Sequence, residues 1–119
     1  MLLFIRIFLI LYAFIALGTG FHAMTGPHDA ALEPMADNSH RFIAAIWTSM
    51  ALGLLYCAWK PSEVALFRFL IIALFIGGVV RSIALVNYAP TPIILAVIIL
   101  ELIPTPILWY VHSQVITNN

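Results

Sequence analysis

The stretch PIILAVIILELIPTPILWY, residues 92–110, decides the fold class. It is an apolar run with one charged residue, Glu101, inside it. A helix of roughly 20 apolar residues crosses the hydrocarbon core of a bilayer, and this run has that length. A carboxylate at bilayer depth costs roughly 2.5–3.5 kcal/mol on insertion scales, so such a group turns toward protein or water and takes a partner. The partner that the sequence offers is Arg81, in the preceding apolar segment. Two prolines follow Glu101. Pro104 has no N–H for the carbonyl of Leu100, and Pro106 has none for that of Leu102. Both acceptors need other donors in a medium that supplies few. The spacing therefore predicts a kinked, locally polar stretch around Glu101.

Three more segments read the same way. Residues 2–22, 40–59 and 63–87, with 92–112, make four predicted spans. The apolar runs are continuous rather than alternating, which argues against strands. The polar segment 23–39 joins the first two spans, and Lys60-Pro61-Ser62 and the stretch 88–91 are tight turns. Short turns make consecutive helices antiparallel neighbours. The expected fold is all-α, a polytopic membrane protein with an antiparallel four-helix transmembrane bundle, in one domain over residues 1–119.

Composition agrees. The chain is 64% hydrophobic and 8% charged, whereas soluble domains carry about 25% charged residues. A chain of 119 residues cannot hide that much apolar surface in an aqueous core. Lipid is its expected solvent and first partner. Net charge is zero, so there is no basic field for nucleic acid. The single cysteine, Cys57, makes neither an internal disulfide nor a zinc pattern. No nucleophile constellation, phosphate loop or metal spacing occurs. The sequence implies no catalytic residue, metal or cofactor, and points away from an enzyme. The first segment has only Arg6 as a positive flank and no clean small-x-small site after it, so it reads as a retained span. Basic residues Arg6, Lys60 and Arg68 fall on one side, which puts both termini in the cytoplasm of an inner membrane.

That topology gathers polar residues on the non-cytoplasmic side. His22 ends the first span, and Asn38, His40 and Arg41 open the second. Arg81 and Asn87 lie in the outer part of the third, and Glu101 in the fourth. These seven residues are the candidate ligand-binding set. Glu101 lies roughly 14 Å below the start of its span at 1.5 Å per residue. Small residues mark packing faces: Gly18 and Gly20, Ser49 and Gly53, and Gly77 with Gly78.

Asn38-x-x-Arg41, Gly77-Gly78-x-x-Arg81-Ser82 and the intramembrane Glu101 resemble an uncharacterised bacterial family of four-helix membrane proteins, catalogued as a domain of unknown function. The resemblance covers residues 38–113 well and the first span more loosely. The four-helix plan is also similar to the DoxX-like membrane proteins, some of which are linked to quinone or thiol oxidation. Neither likeness supplies an activity.

The residues leave three readings open, besides an oxidoreductase component, which a lone cysteine and the lack of convincing haem ligands argue against most strongly. One is a binding protein or accessory subunit that holds a small amphipathic molecule, such as a lipid or quinone headgroup, against Arg41, Arg81 and Glu101. Another is a proton-coupled small transporter using Glu101. The last is a purely structural partner in a membrane complex or a homo-oligomer.

Overall fold

The computed structural model describes residues 1–118, and every element in it is a helix. These are α1 (Leu2–Thr25), α2 (Pro34–Trp59), α3 (Val64–Ala84), α4 (Pro92–Leu102) and α5 (Pro104–Thr117). With α4 and α5 taken as one interrupted span, four helices are long and apolar enough to cross a membrane. Between 22 and 28% of each span is buried within the protein. Most of each helix surface is therefore left for lipid, and large side chains such as Phe42, Phe69 and Ile93 point outward. The chain is a multi-pass membrane protein.

The helices hide their own polar groups. The hydroxyls of Thr19, Thr25, Thr48, Ser49, Ser82, Thr105, Ser113 and Thr117 each donate to the carbonyl four residues back. That habit suits a solvent without hydrogen bonds to give. It also lets helices outlast their apolar runs. The expected ends at residues 22 and 112 move to Thr25 and Thr117. The second helix begins at Pro34 rather than at residue 40, because Pro34 is preset for a first helical position. The third ends at Ala84, so Asn87 sits in the following turn rather than in the helix. The expected kink in the fourth span falls at Ile103, whose backbone stays helical and whose N–H still reaches the Ile99 carbonyl, so the ladder breaks only where Pro104 lacks its N–H.

The chain divides into two compact units. One comprises Arg6–Lys60, that is, nearly all of α1 with α2. Here α1 and α2 meet closely at Gly20. A β-carbon on Gly20 would collide with the Thr48 hydroxyl and stand 3.1 Å from the Ala44 carbonyl oxygen. The loop between the helices is shaped by Asp29, whose side chain accepts from Ala31 N and whose carbonyl accepts from Leu32 N. Gly18, expected at a packing face, has nothing within 4 Å of its place for a β-carbon.

The other unit comprises Met1–Ile5 and the chain from Pro61 onward. In it α3 packs antiparallel on α4 and α5. The Phe67 and His112 rings stack with centroids 3.7 Å apart. The guanidinium of Arg68 lies 5.0 Å from the Trp109 ring centre. Further along, Gly78 meets Glu101 and Leu102. Phe67 to Gly78 and His112 back to Glu101 are equal steps, so one unbroken register runs past the interruption. Thr91 caps α4, its hydroxyl accepting from Ile94 N.

Candidate functional site

Helix geometry explains why Arg81 and Glu101 meet. Side chains lean toward the N-terminus of their own helix. On α3 that lean carries Arg81 back along the helix toward Gly77. On antiparallel α4 it carries Glu101 the opposite way, and the two converge. Gly78 makes the approach close, since a β-carbon there would stand 2.9 Å from Glu101 Cβ and from Leu102. The carboxyl then lies over Gly77, 3.7 Å from where that residue's β-carbon would be. In lipid, no solvent drive presses helices together, and such small-residue contacts hold them.

Arg81 Nε lies 3.2 Å from Glu101 Oε2. The two groups pair by charge, but the N–H is not aimed well enough to make a hydrogen bond. Glu101 Oε2 is fully buried and accepts none. The two partners differ in exposure: the Glu101 side chain is 7% exposed and that of Arg81 is 54% exposed. So a buried acceptor sits beside a cation that still faces outward. A buried oxygen left without a donor costs about 1–3 kcal/mol, more when charged. The Glu101 carbonyl, by contrast, accepts from the Thr105 hydroxyl at 2.5 Å, across the interruption in the span.

Beginning one turn after Glu101 is an apolar hollow. Ile71, Ile72 and Phe75 of α3 line it with Thr105, Pro106 and Trp109 of α5. No polar surface faces it beyond the Thr105 position, whose hydroxyl is turned to Glu101.

The other candidates are described within their own units. His22, Asn38, His40 and Arg41 belong to the Arg6–Lys60 unit. Arg41 is occupied: Nε and Nη2 donate to Asp37 at 2.9 and 3.4 Å, and Nη1 donates to the Met24 carbonyl at 2.8 Å. His28 Nδ1 approaches the same carboxylate at 3.5 Å. This network ties the end of α1 to the start of α2. His22, Asn38 and His40 are exposed, as is Asn87. Among the described residues no three histidine, cysteine or acidic side chains gather as metal ligands. Sequence reading passed over Asp37, four residues from Arg41 at the spacing where helical side chains meet, and Thr105, whose hydroxyl reaches the carbonyl four residues back.

A family model described as a domain of unknown function, DUF4345, matches residues 4–112. The chain belongs to this family. The match takes in α1 to α4 and most of α5, so it includes both Gly77-Gly78-x-x-Arg81 and Glu101. No curated protein and no solved structure matches the chain.

Proposed function

We propose that the protein binds the polar head of a small amphipathic molecule, of lipid or quinone type, at Arg81 and Glu101. The observation that carries this reading is the buried Glu101 Oε2, which accepts no hydrogen bond although a half-exposed guanidinium stands beside it. A headgroup with a hydroxyl or N–H would satisfy that oxygen. An anionic or carbonyl oxygen on the same headgroup suits the donors of Arg81. The apolar hollow that starts at Thr105 fits a tail. The architectural likeness to DoxX-like proteins makes a quinone one of the molecules worth offering. In the orientation given by the basic residues, the site opens to the non-cytoplasmic face of a bacterial inner membrane. His22, Asn38 and His40 are exposed polar groups of the Arg6–Lys60 unit, Asn87 is exposed in the turn after α3, and Arg41 serves its own unit before any ligand.

The test is native mass spectrometry of the detergent-solubilised chain. The parent is expected to keep a co-purified amphipathic molecule. Glu101→Gln and Arg81→Ala are each expected to lose it while retaining the helical circular-dichroism signal. Retention by both folded variants overturns the reading.

The same oxygen favours a second reading, a proton-coupled transporter in which Glu101 carries the proton. An acceptor with no donor has room for one. That reading requires flux to depend on the pH gradient, and a flux unchanged when the gradient collapses excludes it.

A further inference from the structure

A second feature lies within the Arg6–Lys60 unit, at the opposite end of its helices from Asp37 and Arg41. Arg6 and Ile10, one turn apart on α1, face Leu55, Ala58 and Trp59 of α2 across an open slot. Its volume of about 610 Å³ suits a small organic molecule rather than a single ion. Arg6 is held in place: its Nε donates to the Ala58 carbonyl at 3.1 Å. That carbonyl belongs to the last turn of α2, where the helix offers it no N–H. The bond uses one donor of the guanidinium and leaves the other four N–H groups unused by it.

The slot is graded along its length. Arg6 and Trp59 stand at the end of the span, where Trp59 is 81% exposed, as expected of a residue at the headgroup level. Ile10 and Leu55 lie one turn deeper and are apolar. Charge is graded too. The three carboxylates of this unit, Asp29, Glu33 and Asp37, are all at its other end, in and beside the α1–α2 loop. Lys60 is next in sequence to Trp59, with its ammonium 5.7 Å from the Tyr56 ring centre. Arg6 is the charged residue of the lining, and Ile10 and Leu55 make the floor hydrocarbon.

We infer that this slot is a binding site for an anionic phospholipid. Its phosphate pairs with Arg6, and the upper part of one acyl chain runs between Ile10 and Leu55. Neither Arg81 nor Glu101 lines it, so it stands whether or not those residues bind a ligand.

The experiment uses the full chain in detergent, titrated with phosphatidylglycerol or phosphatidylcholine and read by native mass spectrometry. The parent is expected to retain phosphatidylglycerol preferentially. A cation near the headgroup contributes about 1 kcal/mol, so Arg6→Gln is expected to weaken retention about fivefold. Because that change also removes a helix cap, a second variant is needed. Leu55→Trp leaves Arg6 and its bond to Ala58 in place but fills the slot, and it too is expected to lose phosphatidylglycerol. Arg6→Lys is expected to keep part of the preference. Equal retention of the two lipids by the parent overturns the inference. So does an unchanged preference in Leu55→Trp, or displacement of the lipid by millimolar inorganic phosphate, which would mark a site for a free anion.

Discussion

Gly78 and Glu101 touch so closely that no side chain fits between them: a β-carbon on Gly78 would stand 2.9 Å from Glu101 Cβ. One position earlier the constraint relaxes. A β-carbon on Gly77 would lie at ordinary contact distance from the carboxyl, 3.7 Å from Oε2. Gly78→Ala should therefore push α3 and α4 apart and cost about 1–3 kcal/mol, the range for overpacking. Gly77→Ala should be nearly neutral for stability. Thermal unfolding of the two variants in the same detergent checks the asymmetry. Equal effects would mean that the helix contact is not set by Gly78.

The pairing of Arg81 with Glu101 predicts an unequal double-mutant cycle. Arg81→Met alone leaves a buried carboxylate with no cation, the arrangement that makes broken ion pairs costly. Its exposed partner softens the effect, and a loss of about 1–3 kcal/mol is expected. Glu101→Met removes the oxygen that accepts no hydrogen bond, and should cost less. The double variant should recover most of what Arg81→Met loses. A double variant no more stable than Arg81→Met would show that the carboxylate is not what the guanidinium stabilises.

Much of this was legible in the sequence, and the reason is the solvent. In lipid an apolar run and a lone carboxylate are strong signals, so the four spans and the meeting of Glu101 with Arg81 could be read from spacing and hydropathy. Helix ends could not. Hydropathy reports where lipid stops, whereas the helix stops where hydrogen bonding does. Pro34 starts α2 well outside the apolar run, and the Ser113 and Thr117 hydroxyls accompany α5 beyond it. Nor could apolar periodicity show that Arg41 is already taken by Asp37 and the Met24 carbonyl. Its charge alone suggested a ligand. Gly18 and Gly20 look alike in sequence, yet only Gly20 lies against another helix.

His112 gives a third prediction. It is 1% exposed, stacks on Phe67, and its Nε2 lies 2.7 Å from the Pro61 carbonyl oxygen. A carbonyl only accepts, so Nε2 carries the proton of this bond. His112→Phe keeps the stack and abandons the carbonyl, with an expected cost of about 1–3 kcal/mol. His112→Ala loses both the stack and the bond, and should cost about 3–5 kcal/mol, as large core truncations do. Chemical unfolding of both variants in one detergent provides the check. If His112→Phe matches the parent, the turn at Pro61 does not depend on the histidine.

Arg41 should prove to be a local tie rather than a global support. Its guanidinium bridges the Asp37 carboxylate and the Met24 carbonyl, so it joins the last turn of α1 to the first turns of α2. Partly exposed ion pairs contribute about 0–1 kcal/mol, and Arg41→Ala should lower overall stability by no more than that. Its local effect should be larger, because the Met24 carbonyl loses its side-chain donor and Asp37 its nearer cation. Amide hydrogen exchange is therefore expected to quicken at the end of α1, through residues 26–33 and in the first two turns of α2, while α3 to α5 keep the parent's protection. Asp37→Asn should give a weaker version of the same pattern, since it removes the charge but leaves an oxygen that can accept from Arg41 Nε. Unchanged exchange in this segment for Arg41→Ala would show that the loop is held by Asp29 and its own turn, and would leave the guanidinium available for another role.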